Sequence, residues 1–176
     1  RTASITEKDS VYVTLDLNGQ TLQNTTDIYN LTTKVWSLIS VKGKYVVTIK
    51  GNGKVLAKKN DCYAVDVRDG AKVIIEDGEF VGNISAIYTI NGGSAEIKGG
   101  KYNIQQVHDK KGYSYLLNNY DKNIGKIKVT GGSFYKFNPA NNGADPNAPV
   151  NFVPSGYTST ENAAGWFTVS PTTAAN

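Results

Sequence analysis

The chain has 176 residues, enough for one domain with a sizeable core, and its formal net charge is +4 at pH 7. Its Lys and Arg residues do not form a dense cluster, which disfavours nucleic-acid binding. No apolar run approaches the roughly 18 residues of a transmembrane helix, so we expect no membrane insertion. The chain begins with Arg1 rather than Met, and we expect it to be a piece of a longer product.

The composition favours β-structure. The chain contains 18 Gly and 11 Tyr but no Met and one Cys, and its Thr, Val, Ile and Tyr residues occur in short runs. Such runs separated by Gly are typical of all-β proteins. The lone cysteine, Cys62, excludes an internal disulfide framework.

Two interleaved series of motifs repeat along the chain. The first series is VTLDLNGQTL from Val13, VTIKGNGKVL from Val47, VIIEDGEF from Val73, AEIKGGKY from Ala95 and IKVTGGSF from Ile127. The second series is SLISVKG from Ser37, YAVDVRDG from Tyr63, SAIYTINGG from Ser85 and YLLNNYD from Tyr115. Starts in the first series are 34, 26, 22 and 32 residues apart, and those in the second keep nearly the same steps. The series predict two strands and two turns in each repeat.

A constant motif at variable spacing predicts a parallel β-helix, in which each repeat is one coil and extra residues bulge from a turn as a loop. Propellers and leucine-rich solenoids have more uniform repeats. No segment shows sustained 3.6-residue periodicity, so we expect almost no α-helix. The predicted fold is therefore a single-stranded, pectate-lyase-like solenoid of about five coils.

Alternation within the strands predicts interior columns of side chains stacked from coil to coil. The first series gives two columns, one of Val13, Val47, Val73, Ala95 and Ile127, the other of Leu15, Ile49, Ile75, Ile97 and Val129. The second series gives Ile39, Val65, Ile87 and Leu117, and the aromatic residues after the turns give Phe80, Tyr102 and Phe134. Stacked columns form a continuous core that no single coil would bury alone.

The outward positions of the second series suggest a binding surface. One outward row is Ser40, Asp66, Tyr88 and Asn118, and the next is Lys42, Arg68, Ile90 and Tyr120. A polar sheet with exposed tyrosines is typical of sugar-binding faces, because aromatic faces stack on pyranose rings. It is equally typical of wet protein contacts and of plain solvent exposure. The candidate ligand- or partner-binding residues on this face are Lys42, Asp66, Arg68, Tyr88 and Tyr120.

The chain changes character after residue 136, where Lys and Arg disappear and all 5 prolines follow. The predicted divisions are a parallel β-helix, residues 1–136, and a terminal region, residues 137–176. NPANNGADPNAP predicts an irregular loop, and GYTSTENAAGWFTVS predicts a β-hairpin with strands at 157–160 and 166–170. Because the ends of a β-helix expose strand edges, we expect this region to be a cap or a subunit contact. Tyr157 and Trp166 are its candidate anchors.

Catalytic chemistry has little support in the sequence. His108 is the only histidine and is predicted to be a solvated loop residue, which disfavours an imidazole triad or metal site. Glycoside hydrolysis requires paired carboxylates, yet no second acid flanks Asp66 on its row. The remaining acidic candidates are Asp61, Asp69, Glu76 and Asp77, and the Asn-Thr-Asp, Asp-Asp and Gly-His-Gly motifs of β-helix pectinases are missing. We expect no catalytic residues, no metal and no cofactor.

The succession LDLNGQTL, WSLISVKG, VTIKGNGKV, DCYAVDVRDGAKVIIEDGEF, GGKYNIQQ and VTGGSFYKFNPANN resembles right-handed β-helix proteins of gut bacteriophages and gut bacteria. In phages, these domains belong to virion structural proteins such as head and tail fibres. The resemblance implies a right-handed coil and a non-catalytic display domain on a virion or cell surface. Its implied partners are copies of itself, other virion proteins and host surface glycans.

Two alternatives remain open at this point. The same fold occurs in bacterial surface adhesins and carbohydrate-binding domains, and in enzymes that depolymerise polysaccharides. The missing catalytic motifs make the enzyme the weakest of the three.

Overall fold

The computed structural model is all-β. It describes residues 9–29, 31–32, 35–59, 63–108, 112–120, 126–144 and 150–173. Arg1, Asp61 and Cys62 lie outside the described residues. Within those ranges, no helix is long and apolar enough to cross a membrane.

Short strands follow one another throughout the described residues. In chain order they are β1 (Val11–Asp16), β2 (Thr21–Gln23), β3 (Ser37–Lys42), β4 (Tyr45–Lys50), β5 (Lys54–Leu56), β6 (Tyr63–Arg68), β7 (Lys72–Ile75), β8 (Glu79–Gly82), β9 (Ile87–Ile90), β10 (Ser94–Ile97), β11 (Lys101–Ile104), β12 (Leu117–Asn119), β13 (Ile127–Val129), β14 (Ser133–Tyr135), β15 (Tyr157–Glu161) and β16 (Trp166–Pro171). Their brevity reflects the Gly- and Asn-rich turns that interrupt every run of Val, Ile and Tyr.

The strands form three sheets, which the chain visits in turn. Sheet I has the order β1-β4-β7-β10-β13, sheet II has β15-β16-β14-β11-β8-β5-β2, and sheet III has β12-β9-β6-β3. All pairings in sheets I and III are parallel, as are those from β2 to β14 in sheet II. The predicted all-β, parallel-strand architecture is therefore confirmed, and it is that of a β-helix-like solenoid.

The prediction of two strands in each repeat is wrong, because the structure has three. The additional strands belong to sheet II and contain three or four residues each, as in β5, β8 and β11. Each begins directly after a turn of the first motif series. From the sequence, only the aromatic residue of β8, β11 and β14 was predicted, as an isolated interior position after the turn, and the short strand around it was not recognised.

The register reproduces the predicted columns. Val13 pairs with Val47, Val47 with Val73, Val73 with Ala95, and Ala95 with Ile127. The second series pairs in the same way, from Ile39 through Val65 and Ile87 to Leu117. Burial of these columns is complete in the middle of the solenoid and falls at its first strand, where Val13 is 44% exposed.

The aromatic column lies in sheet II and is fully buried. The rings of Phe80 and Tyr102 stack at 5.4 Å between centroids, and those of Tyr102 and Phe134 at 4.8 Å, with an interplanar angle of 11° in both pairs. The Tyr102 hydroxyl donates a hydrogen bond of 2.7 Å to the carbonyl oxygen of Gly99, which satisfies its one polar atom.

The terminal hairpin is present as predicted. Strands β15 and β16 are antiparallel, and the amide of Gly165 donates to the carbonyl of Asn162 at 3.0 Å to close the turn. Strand β16 pairs with β14, so that Phe167 stands opposite Phe134 at the end of the aromatic column. The hairpin thus extends sheet II and covers its last parallel strand within the same chain.

Candidate functional site

The outer face of sheet III brings together several of the candidate residues. Strands β6, β9 and β12 place Asp66, Tyr88 and Asn118 side by side on one row. Arg68 pairs with Ile90 on the next row, and Tyr120 follows β12, its amide bonded to the carbonyl of the neighbouring strand β9. The rows predicted from sequence therefore exist.

Tyrosine rings cover the middle of this face. Tyr63, at the start of β6, stacks on Tyr88 with a centroid separation of 4.8 Å and an interplanar angle of 24°. Tyr120 lies on the other side of Tyr88 at 6.2 Å and is tilted by 46°. Tyr120 is 58% exposed, whereas Tyr88 is only 8% exposed. The expectation that both tyrosines are exposed is thus wrong for Tyr88, because its neighbours sandwich it.

A loop between β11 and β12 adds a further wall. The amide of His108 donates to the carbonyl of Tyr113 at 2.8 Å, and the amide of Gly112 donates to the carbonyl of His108 at the same distance. These bonds hold His108 close to Gly112 and Tyr113 within the loop. The ring of Tyr115 then contacts His108 at 6.1 Å and Tyr113 at 6.3 Å, both edge to face.

Between the face and the loop lies a cleft of about 260 Å³, here called the tyrosine cleft. It is lined by Tyr63, Ile84, Tyr88, His108, Tyr115, Asn118 and Tyr120. Its surface is largely aromatic, with one side-chain amide. The Oδ1 atom of Asn118 is buried and has no hydrogen-bond partner among the described residues.

Asp66 and Arg68 do not belong to the cleft surface but form an ion pair beside it. The Asp66 side chain is 0% exposed and that of Arg68 13%. The Nε atom of Arg68 donates to Oδ1 of Asp66 at 2.9 Å, and its Nη2 donates to Oδ2. Asp66 was predicted to be exposed, and this is wrong, because a fork of two charge-assisted hydrogen bonds stabilises the buried carboxylate.

Burial and hydrogen bonding shift the pKa values of two groups on this face. The hydrogen bond with Asp66 raises the pKa of Arg68, although burial acts in the opposite direction. Burial raises the pKa of Tyr88 well above its ordinary value, and the nearby Tyr63 and Asp66 add to the effect. The Tyr88 hydroxyl therefore stays protonated at neutral pH.

The other candidate residues lie elsewhere. Lys42 pairs with Arg68 in register on the edge strand β3 but lines a separate opening of about 370 Å³ with Val13, Val41 and Tyr45. Tyr157 and Trp166 belong to the terminal hairpin in sheet II. The centroids of the Trp166 and Tyr135 rings lie 5.2 Å apart, so this candidate anchor makes its aromatic contact within the same chain.

The acidic candidates are dispersed. Glu79, which the sequence did not single out, lines a groove beside the turns of sheets I and II with Asp77, and it is paired with Lys54 at 2.9 Å. Asp69 accepts a hydrogen bond from Asn91 at 3.2 Å. Among the described residues, no three His, Cys, Asp or Glu side chains form a group that would hold a metal ion.

Sequence reasoning did not single out five members of the cleft as binding residues: Tyr63, Ile84, His108, Tyr115 and Asn118, the last of which it placed only on the outer row. Tyr63 and Tyr115 occur at the starts of two motifs of the second series, which was a usable signal. The long step between the last two motifs of that series was another, because it indicated a loop of extra residues beside this face. The direction in which that loop folds was not encoded in the repeat pattern.

Comparison with known proteins finds no match among family models, curated proteins or solved structures. The geometry of the chain itself must therefore support any functional conclusion.

Proposed function

We propose that this chain is a non-catalytic display domain of a surface structure, and that it binds surface glycans through the tyrosine cleft. The observation that carries this proposal is the row of contacting tyrosines Tyr63, Tyr88 and Tyr120, which lines a concave site. Concave sites with aromatic walls and a few polar groups are the usual form of small-ligand sites. The electron-rich face of an exposed ring, such as that of Tyr120, packs well against the C–H bonds of a pyranose.

The proposal includes the finer fold, a right-handed parallel β-helix of about five coils. Sheet I contains β1, β4, β7, β10 and β13 in spatial order, so that each repeat adds one strand beside its predecessor. Connections between parallel strands of one sheet are right-handed in about 98% of cases, because strand twist favours that hand. The C-terminal loop and hairpin act as the cap of this solenoid.

A non-catalytic role is supported by the state of the carboxylates. Asp66 is the one fully buried acid among the described residues, and both of its oxygens are engaged by Arg68. It is therefore poorly suited to transfer a proton to a glycosidic oxygen, which requires a carboxyl group within reach of the substrate. Among the described residues that line the cleft, none is acidic.

The setting we propose is a bacteriophage virion, with the domain in a head- or tail-fibre protein, on the strength of the motif resemblance described above. In a bacterial surface protein, the same cleft would make the domain an adhesin. The genes that lie next to this one in its genome would distinguish a phage virion protein from a bacterial surface protein.

The test is a glycan array probed with the full chain and with Tyr120→Ala. Tyr120 is 58% exposed, so its removal should leave the fold intact while it removes one face of the cleft. We expect binding of the preferred glycan to weaken about tenfold, the equivalent of about 1.4 kcal/mol. Tyr88 is unsuitable for this test because it is buried between two rings.

The matched control is Tyr12→Ala, since Tyr12 is 68% exposed and lies on β1, away from the cleft. It should bind like the unmodified chain. Absence of glycan binding by the unmodified chain, or an equal loss in both variants, would contradict the proposal. Release of reducing ends or unsaturated uronates from the bound glycans would instead identify a depolymerase.

A further inference from the structure

We infer that the outer edge of β15 is a dimer interface, where the same strand of a second copy of this chain pairs antiparallel across a two-fold axis at Ser159. The inference goes beyond glycan binding and does not depend on it. Strand β15 is the last strand of sheet II and is bonded to β16 on one side. No strand of the described residues pairs with its other side. The dimer would therefore join two 7-stranded sheets edge to edge.

The hydrogen bonds of the hairpin show which backbone groups face the open edge. In an antiparallel pair of strands, hydrogen-bonded and non-hydrogen-bonded residue pairs alternate. The amide of Asn162 donates to the carbonyl of Trp166 at 2.9 Å, and the amide of Thr172 donates to the carbonyl of Gly156 at 2.8 Å. The even-numbered residues of β15 therefore direct their amides and carbonyls at β16, and the odd-numbered residues direct theirs at the open edge.

The odd-numbered residues are Tyr157, Ser159 and Glu161. The amide of Tyr157 donates to the carbonyl of Pro154 at 3.3 Å. The other amides of this row, and all three of its carbonyls, receive no backbone partner from the described residues. A row of unpaired donors and acceptors on a strand edge is a template for the addition of another strand.

The sequence of β15 favours an identical partner. Its central residues, Thr158 to Thr160, read the same in both directions. With the axis at Ser159, this residue exchanges two hydrogen bonds with Ser159 of the partner subunit, and Tyr157 stands opposite Glu161 of the partner subunit. The exposed side chain of Thr158 stands opposite Thr160 of the partner subunit, which gives two cross-strand threonine pairs.

The charges on the strand permit this pairing. Glu161 is the one charged residue of β15 and lies at its end. An axis at Ser159 sets the two Glu161 carboxylates four residues apart along the strands, roughly 13 Å, whereas an axis at Thr160 would halve that separation. The strand also contains no Lys and no Pro, the residues with which exposed edge strands commonly prevent pairing.

A single pair of strands makes a small interface. Stable complexes bury roughly 1,200–2,000 Å² in total, and five residues from each strand supply less than that. The dimer should therefore form reversibly and depend on protein concentration. Each dimer would carry two tyrosine clefts, so that a weak surface contact would gain avidity.

The test places like charges across the predicted axis. In Thr158→Lys/Thr160→Lys every new lysine opposes a lysine of the partner subunit, and in Thr158→Glu/Thr160→Glu every new glutamate opposes a glutamate. Analytical ultracentrifugation of the full chain over a concentration series gives the dissociation constants. We expect each variant alone to dimerise at least about tenfold more weakly than the unmodified chain, and an equimolar mixture of the two to recover the dimer. Because both threonines are exposed, the melting temperature at low protein concentration should stay nearly unchanged.

The matched control is Thr158→Ser/Thr160→Ser, which keeps a neutral hydroxyl at both positions and should dimerise like the unmodified chain. Hydrogen exchange provides a second measurement, since the amide of Ser159 should exchange more slowly as the dimer forms. An unmodified chain that stays monomeric up to millimolar concentration, or charged variants that dimerise as well as it does, would overturn the inference without affecting glycan binding. A mixture that fails to recover the dimer would show that the axis does not lie at Ser159.

Discussion

Tyr102 illustrates how single side chains hold this fold together. Its ring is fully buried between Phe80 and Phe134, and its hydroxyl donates to the carbonyl of Gly99 at 2.7 Å. Burial raises the pKa of Tyr102 well above its ordinary value, so the hydroxyl remains a donor across the physiological range. Tyr102 therefore stabilises the fold in two ways: its ring stacks on its neighbours, and its hydroxyl donates a hydrogen bond to a carbonyl group of the turn.

Two substitutions at this position should separate those contributions. Tyr102→Phe keeps the ring stack but leaves the Gly99 carbonyl without this donor, and should cost about 1–3 kcal/mol in the free energy of unfolding. Tyr102→Ala also removes the ring and opens a cavity, and should cost about 3–5 kcal/mol. Urea denaturation measures both values. Equal costs for the two variants would show that the stack contributes little.

The tyrosine cleft also illustrates the limits of sequence reasoning at this scale. Alternation placed Asp66, Tyr88 and Asn118 on one outer row, and the register agrees. It could not predict that Asp66 is buried, because burial there depends on the fork of hydrogen bonds from Arg68 and not on the period of the strand. The same limit applies to Tyr88, whose exposure is set by rings from other coils.

The turns between sheets I and II are the elements that impose the repeat. At Gly131, an added Cβ would lie 2.1 Å from the carbonyl oxygen of Lys98 in the preceding coil. The corresponding position at Gly99 would lie 2.2 Å from the carbonyl oxygen of Glu76. Backbone approaches backbone at these turns, so glycine is required by the stacking of coils and not by a ligand.

Gly131→Ala should therefore lower the free energy of unfolding by about 1–3 kcal/mol, because the turn must move to relieve the overlap. Gly143→Ala is the matched control, since an added Cβ there meets nothing within 4 Å. It should change stability by less than about 0.5 kcal/mol. Thermal melts of both variants provide the comparison, and similar melting temperatures would contradict the stacking explanation.

The two ends of the solenoid differ in how their edge strands are covered. At the C-terminal end, β16 pairs with β14, and Val150, Phe152 and Val169 are buried there. At the N-terminal end, β1, β2 and β3 are the edge strands of their sheets, and Val13 and Leu22 are 44% and 41% exposed. In sheet II, the hairpin covers the edge of β14, the last parallel strand, so we expect the stability of the whole molecule to depend on it.

Truncation after Pro154 should test this dependence by removing the hairpin. The loss exposes Phe134 and the edge of β14, so the melting temperature should fall and the chain should aggregate as its concentration rises. Calorimetry and light scattering measure the two effects. A truncated chain that stays monodisperse with an unchanged melting temperature would show that the hairpin is not a structural cap.

The sequence by itself determined the strands of sheets I and III, the interior columns and the terminal hairpin. These follow from alternation and repetition, which are local properties of the chain. Only the tertiary structure decided that each repeat has a third strand, that Asp66 is buried and that a loop encloses the tyrosine cleft. The enclosure of the cleft depends on contacts between different coils, such as Tyr63 with Tyr88, and packing of this kind is not visible in the repeat pattern. The Asp66–Arg68 pair lies within one strand, but strand alternation does not report whether two neighbouring outward side chains bond to each other.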